Sequence, residues 1–442
     1  MWQHGSGNRA SREPVPPPSA AARCRRALSD QCTLQGRAWC RSQERRAPPS
    51  GLHSTLCPLL VCLLCAVLTK FFVTECREMG QTAIAAALAD GGLEPGAVSA
   101  LYVGNMLSGM LSDQQHVGPL LATAAGLNGV EATTVEACCG SGGAALRWGY
   151  MAVASGMHET VIVAGVEQMT HREIKTVTRA LATASDWEKE GAHGATFVSL
   201  NGTLMSMYMD KYGIDHEAFG AFPRNAHNNA SSSVHATLKK RLAPADYKNS
   251  PLITDPIRLL DACPTCDGAA AIVLTASRDF ARREGNNSVV RLAGSGAATD
   301  ILCVMDRPEP LHLSAVEKST RQALAHARID MSAVDLFELH DAYSIMACLC
   351  LESAGFALPG QGTHFANDGH LALNGILPIA TFGGLKARGH PVGATGVYQA
   401  AEVFLQLTGT AGANQVKGAQ VAVTQNIGGA GASVYTHVFV EE

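Results

Sequence analysis

Gly384-Leu385-Lys386-Ala387-Arg388-Gly389-His390-Pro391-Val392-Gly393-Ala394-Thr395-Gly396 is the stretch on which the fold turns. It is a glycine-rich turn opening an apolar helix from Val397 to Leu407. Pro391 fixes the chain just after His390, so the imidazole has a restricted direction. A neutral imidazole can take a proton from a thiol and later return it to a leaving thiol. Far upstream, Val135-Glu136-Ala137-Cys138-Cys139-Gly140-Ser141-Gly142-Gly143 repeats this layout, with an alanine-rich helix from Gly142 to Met157. Cys139 stands at the strand-to-helix turn. The unpaired N–H groups of the helix start, with the macrodipole, favour thiolate over thiol there. The glycines let a bulky ligand approach the backbone closely. Taken alone, Cys139 reads as a buried cysteine in a tight turn before it reads as a nucleophile, and His390 is as readily an ordinary turn residue as a base.

The likeness between the two halves continues outward. Ala100 to Val103 is a short apolar strand leading into Gly104-Asn105-Met106, and Asp335 to Leu339 leads in the same way into His340-Asp341-Ala342. Thr160 to Gly165 reads as a buried strand, as does Gln420 to Thr424 before Asn426-Ile427-Gly428-Gly429. A weak duplication of about 200 residues is visible, and internal repeats decide fold assignments. Glu78 to Asp90 is an alanine-rich helix ended by Gly91-Gly92, and Asp267 to Thr275 is a further apolar strand. Residues 171–250 are more polar and irregular, with a helix around Thr203 to Tyr212. Short apolar strands alternating with helices imply a parallel, covered sheet. Two such α/β halves back to back bring their loop ends to one shared site.

Two further features bear on chemistry. A donor at His340 in His340-Asp341-Ala342-Tyr343 is suited to polarising a thioester carbonyl, directly or through a water. It is equally suited to a structural pairing with a carboxylate. The N–H of Gly428, beside Asn426, is a candidate to join that of Cys139 in an oxyanion hole. Cys263-Pro264-Thr265-Cys266 has a metal-like spacing, but no second pair follows at zinc-finger distance, so no metal is expected.

Composition sets the bounds. The chain has 442 residues, 47% of them hydrophobic and 16% charged, which fits a core-rich globular protein rather than disorder. A net charge of −4 gives no electrostatic footprint for nucleic acid. Seven of the 14 cysteines precede residue 77, and the scatter of the rest suits a large reduced enzyme better than a disulfide scaffold. The first fifty residues carry nine arginines and no lysine, with only Glu13, Asp30 and Glu44 as acids. Such a segment suggests an organelle transit peptide, a disordered tail or a wrongly joined first exon. Mitochondrial localisation is the expectation, with peroxisomal or cytoplasmic as alternatives; Phe439-Val440-Glu441-Glu442 is no peroxisomal tripeptide. The apolar run Leu56 to Leu68 contains Pro58 and is shorter than the ~20 residues of a spanning helix, so a buried first strand is expected there and a membrane span is not.

At four places the sequence resembles the thiolase superfamily, in particular its sterol-carrier-protein type. Val135 to Leu146 resembles the nucleophilic-cysteine motif, with Cys139 in the nucleophile's position. Gly384 to Gly396 is similar to the catalytic-histidine motif, His340 to Tyr343 to a His-Asp-Cys-Phe or His-Asp-Ala-Phe loop, and Asn426 to Gly429 to an Asn-x-Gly-Gly ending. Tyr102 to Gly109 and Asp267 to Ala271 add agreement. The resemblance covers about residue 75 to the end. It implies a duplicated, five-layered α/β thiolase fold of two similar halves, each a five-stranded mixed sheet covered by helices. The expected division is a targeting or disordered extension over 1–55, an amino-terminal half over 56–280 with an inserted loop region near 168–255, and a carboxy-terminal half over 281–442. It also implies acyl-CoA and coenzyme A as partners, a homodimer or homotetramer, and no cofactor beyond coenzyme A as part of the substrate.

The pattern breaks at one point. A thiolase cycle needs a second acid/base to exchange a proton with the α-carbon. Most thiolases place a second cysteine where Asn426 stands, and the sterol-carrier branch often places it where Ala342 stands. Neither asparagine nor alanine exchanges a proton at neutral pH. Cys348, ~12 Å along a helix from His340, and Cys138, whose side chain diverges from its neighbour's, are poor substitutes. Three readings follow: a thiolase-type acyltransferase acting on 3-oxoacyl-CoA through an acyl-cysteine; a decarboxylating ketoacyl-synthase-like enzyme using Cys139, His340 and His390; or a thiolase-like acyl-CoA-binding protein or slow thioesterase.

Overall fold

The structure, a computed structural model, describes residues 75–277 and 289–442, and the backbone of 59–60 and 65–67. The extension over 1–55 lies outside the described residues. Of the expected first strand only two short pieces are described, β1 (Leu59–Leu60) and β2 (Cys65–Val67).

In the first half, β3 (Ala100–Gly104) runs parallel to β4 (Glu131–Val135) and to β5 (Thr160–Glu167). A two-stranded ribbon, β6 (Leu252–Thr254) with β7 (Ile257–Arg258), precedes β8 (Gly268–Thr275), which pairs antiparallel with β5 and with β2. The order is therefore β4-β3-β5-β8-β2. In the second half, β9 (Val290–Thr299), β10 (Leu336–Glu338), β11 (Val421–Gly428) and β12 (Ser433–Glu441) take the order β10-β11-β12-β9. Numbered within each half, second, fourth, fifth and first strands lie in the same sequence, which is the duplication seen at the level of topology. Among the described residues the third strand has no regular counterpart in the second half. Its place beside β10 is marked by Pro378, whose carbonyl accepts the N–H of Phe337 at 2.9 Å. Proline has no N–H to extend a ladder.

One expectation needs correction. The halves do not form two separate five-stranded sheets. Leu59 pairs with both Thr275 of β8 and Arg291 of β9, so β1 joins the strands into one ten-stranded sheet. The reason is the doubled pairing capacity of a strand, which has a free edge on each side.

Alternation along the strands explains the five layers. Leu101 and Val103 of β3, with Ile162 and Ala164 of β5, face helix α1 (Cys76–Asp90) through Met79, Ala83 and Ile84. Tyr102, Val161 and Val163 point the other way, onto α2 (Ser141–Ala154). The inward residues of the second half, Leu336, Ala422 and Phe439, join that same cluster, together with Val397, Tyr398 and Phe404 of a second central helix. Their neighbours Phe337, Val421 and Val423 face outward onto α3 (Ser314–Ala327) and α4 (Ser344–Ala354). The second central helix, α5 (Thr395–Leu407), lies alongside α2 in the middle layer. Period-two burial on strands buried on both faces is what this layering requires.

The segment over 168–255, expected as an inserted loop region, is largely helical. Its helices are Ile174–Ala182, Phe197–Tyr212, Ala221–Ala230 and Pro244–Lys248. The helix from Phe197 starts with a capping box. The N–H of Ser199 donates to Thr196 Oγ1 and the N–H of Thr196 to Ser199 Oγ. Leu200, Leu204, Met205 and Tyr208 then form its buried stripe. Asparagine, serine and methionine among them hide that stripe in the bare sequence. Among the described residues, no helix is long and apolar enough to cross a membrane.

Candidate active site

Cys139 ends the tight turn between β4 and α2. Cys138 holds φ at +54°, a left-handed conformation rare for a residue with a side chain. The turn is fastened by Ser141 Oγ, which donates to the carbonyl of Cys138 at 2.6 Å and accepts the N–H of Ala137 at 2.9 Å. Glu136 accepts the N–H of Cys138. Cys139 is 8% exposed and packs among Leu107, Met169 and Val392, the last from the His390 turn.

The expected partners converge there. The rings of His340 and His390 meet edge to face, centroids 5.1 Å apart. Asn426 stands between the halves. Its Nδ2 donates to the carbonyl of Cys139 at 2.9 Å, its Oδ1 accepts the N–H of Gly143 at 2.9 Å, and its Nδ2 also lies 3.4 Å from His340 Nδ1. Asn426 is thus a clamp on the nucleophile turn. Gly428 follows on the same strand. A Cβ on Gly428 would collide with the carbonyl of Ala137 and the hydroxyl of Ser433, and a Cβ on Gly140 would lie 3.1 Å from Gly428 N.

Hydrogen bonds fix the two histidines in opposite tautomers. Thr395 Oγ1 donates to the carbonyl of Pro391 at 3.0 Å, so at its 2.7 Å contact with His390 it must accept. The proton of His390 therefore sits on Nδ1, and Nε2 keeps its lone pair. His340 is the reverse. Its Nδ1 accepts the N–H of Ile427 at 3.3 Å, so Nε2 carries the proton and can donate. Both rings stay neutral. Burial, then the guanidinium of Arg388, pushes His340 down to about 3. Burial, then His340 and Arg388, holds His390 well below the usual imidazole range.

Arg388 is itself fully buried and paired with Glu402 at 2.5 Å. Lys386 donates to the carbonyl of Asp261, and Asp341 accepts the N–H of Leu385 at 2.7 Å. These bonds anchor the chain before His390. Glu167, which sequence reasoning missed, anchors it after. Its carboxylate accepts the N–H groups of Met106, Leu107 and Gly393 and the amide of Asn105. Burial pushes its carboxyl up to about 7, while those donors pull it back. Only its place at the end of a strand reading Val-Ile-Val-Ala-Gly-Val signalled it. Glu167→Ala leaves these buried donors unpaired, and a loss of about 3 kcal/mol or more in urea unfolding is expected. A loss under about 1 kcal/mol would contradict the hub.

The resting state of Cys139 differs from the sequence reading. Burial, and then the neighbouring Cys138, Cys263 and Glu167, pushes its thiol well above the ordinary value. Desolvation outweighs the helix start, so the resting group is a thiol. Its alkylation by iodoacetamide should climb about tenfold per pH unit beyond pH 9. A plateau below pH 8 would show a preformed thiolate.

Neither cysteine weighed as a substitute reaches the centre. Cys348 is buried in α4 and donates to Glu352, 3.6 Å away. Cys138 is half-buried, and burial with the neighbouring Glu136 pushes its thiol up to about 12. Another one does. Ala262 bridges antiparallel to Tyr343, and the N–H of Cys263 donates to the carbonyl of Ala342 at 2.9 Å. Cys263 and Ala342 are therefore opposite each other. The signal was present in the Cys-Pro-Thr-Cys spacing, where it reads as a failed metal site.

Comparison with known proteins agrees with this architecture. Residues 66–278 match the family described as thiolase, N-terminal domain, and residues 296–441 match thiolase C-terminal domain-like. The chain is 42% identical to an acetyl-CoA acetyltransferase of Methanothermobacter thermautotrophicus over 82% of this chain and 94% of the relative. It is 33% identical to that of Methanocaldococcus jannaschii over 83% of this chain and 93% of the relative. Rabbit sterol carrier protein 2 is 29% identical over 81% of this chain, which spans 66% of that relative's length. Among solved structures, an Ltp2-ChsH2(DUF35) aldolase superposes with a TM-score of 0.76 at 21% identity, covering 87% of this chain and 98% of its own. Human mitochondrial 3-ketoacyl-CoA thiolase in complex with CoA gives 0.68 at 16%, covering 88% and 99%. The chain belongs to the thiolase family. It is an acyltransferase of that family.

Proposed function

We propose that this acyltransferase works on acyl-CoA and 3-oxoacyl-CoA thioesters through an acyl-cysteine on Cys139. The observation that carries the reading is the pair of opposed tautomers, tied to the Cys139 turn through Asn426. His390 Nε2, with its lone pair free, takes the Cys139 proton as sulfur attacks the thioester carbonyl. His340 Nε2–H donates to the oxygen that becomes negative. The N–H groups of Cys139 and Gly428 are the second candidate oxyanion donors. The leaving thiol of coenzyme A recovers its proton from His390, and the sequence reverses when another thiol or a carbanion takes the acyl group. Coenzyme A enters only as part of the substrate, and no metal is required. Among the described residues strand β4 pairs on one side only, and a second copy seated there is the dimer this reading expects.

The test is incubation of the full chain with acetoacetyl-CoA and free coenzyme A while the 3-oxoacyl chromophore is followed. Loss that depends on Cys139 supports thiolysis. No loss above a Cys139→Ala control would sink it. Release of carbon dioxide from malonyl-CoA would favour the decarboxylating synthase reading, and stable acylation without turnover the binding or thioesterase one.

A further inference from the structure

The thiolase reading leaves one requirement unmet: a group that exchanges a proton with the α-carbon of acetyl-CoA. Asn426 is committed at both ends of its amide, to the carbonyl of Cys139 and the N–H of Gly143. Ala342 carries no titratable group. Yet the strand segment opposite Ala342 carries a thiol. Ala262 and Tyr343 bridge antiparallel, so the register sets Cys263 against Ala342, and the hydrogen bond between them confirms it. Residues directly opposite in an antiparallel pair project from the same face, with Cβ atoms ~5 Å apart. The sulfur of Cys263 thus leaves the ribbon on the side where a cysteine at 342 would present its own.

The segment that carries Cys263 lies against the turn of His390: Lys386 donates to the carbonyl of Asp261, and a Cβ on Gly389 would lie 2.8 Å from Cys266 Sγ. In keeping with that placement, charge on Cys263 pushes the Cys139 thiol up, and charge on either cysteine pushes the Tyr343 hydroxyl up. Cys263 is partly open to solvent, unlike buried Cys266 three residues on. Its sulfur is also free of any disulfide. Burial pushes the thiol up to about 12, against the pull of Lys386, so it rests protonated.

Resting on the thiolase reading, we propose that Cys263 is the second proton carrier of the cycle, moved across the ribbon from the position of Ala342. In cleavage, Cys139 sulfur bonds to C3 of a 3-oxoacyl-CoA and the C2–C3 bond breaks. The electron pair stays on C2 as the enolate of acetyl-CoA, and the Cys263 S–H gives C2 its proton. The resulting thiolate is reprotonated as coenzyme A thiol takes the acyl group from Cys139. In synthesis every bond change runs backwards.

The two halves of the cycle can be measured apart. Exchange of labelled coenzyme A into acetyl-CoA needs only acyl transfer at Cys139. Deuterium uptake at C2 of acetyl-CoA in D2O, and thiolysis of acetoacetyl-CoA, also need the second carrier. The full chain, Cys263→Ala, Cys263→Ser and the double variant Cys263→Ala/Ala342→Cys are compared. Cys263→Ala should keep label exchange within about threefold and lose deuterium uptake and thiolysis by about 100-fold or more. The double variant should regain at least about tenfold of both. Retained thiolysis in Cys263→Ala overturns the assignment while leaving the thiolase reading intact. So does loss of label exchange in both the alanine and serine variants, which would make Cys263 a structural support, or no recovery in the double variant. Wild-type protein that exchanges label but shows neither deuterium uptake nor thiolysis overturns both.

Discussion

Cys139→Ala is expected to lower turnover at least about 10,000-fold and to abolish acyl labelling by acetyl-CoA. The size follows from the nucleophile's role: without sulfur there is no covalent intermediate, and what is left is binding and polarisation of the carbonyl. The fold should scarcely notice. The bond from Asn426 goes to the backbone carbonyl of Cys139, and the fastenings of the turn come from Ser141 and Glu136, so none is lost. Cys138 is not expected to take over. Intact-mass analysis after incubation with acetyl-CoA, beside the thiolysis assay, checks both statements. A residual rate above about one hundredth of wild type would exclude an obligatory acyl-cysteine.

The second large effect is on folding. Gly396→Ala should cost about 3 kcal/mol or more in urea or thermal unfolding. A Cβ there would strike the N–H of Gly143 and come within 2.5 Å of Asn426 Oδ1 and 2.7 Å of Gly142 C. The partner contact is nearly reciprocal, since a Cβ on Gly142 would lie 2.8 Å from Gly396 N and 3.0 Å from the carbonyl of Gly393. The N-termini of α2 and α5 therefore touch backbone to backbone, and this contact brings the Cys139 and His390 turns together. Backbone cannot swing aside as a side-chain tip can. Gly409→Ala is the control: it sits at φ +71° with open space around it, so it should lose only about 1 kcal/mol through backbone strain. A Gly396→Ala protein as stable as wild type would show that the helices can separate without cost.

Much of this was legible in the chain. Helices such as Cys76–Asp90 and strands such as Val421–Gly428 follow from local periodicity, and the duplication from recurring strand-turn-helix units. Cys139, His340 and His390 announced themselves because each sits at an element end, the first and last of them among glycines. What was hidden depends on long-range meetings. Nothing near Asn426 says that its amide will grip residues 139 and 143, nor near Glu167 that it will collect N–H groups from 106, 107 and 393. The junction of both halves through Leu59 is likewise a property of the assembled sheet. The helices of 168–255 were blurred by polar residues on their outer faces. Electrostatics misled once, where burial outweighed the helix start at Cys139.

The clamp at Asn426 has a consequence for how this lineage can change. A carboxamide there donates at one end and accepts at the other, and a thiol does neither well. Asn426→Cys would place a thiol where most thiolases carry one while releasing the turn that carries the nucleophile. The simplest route back is thus closed by a single side chain that has taken on other duties. If Cys263 is the proton carrier, positions 426 and 263 depend on each other. Substitutions at 426 should therefore be tolerated or not according to what stands at 263 and 342, so that the history of the site is written in combinations of residues rather than in any one of them.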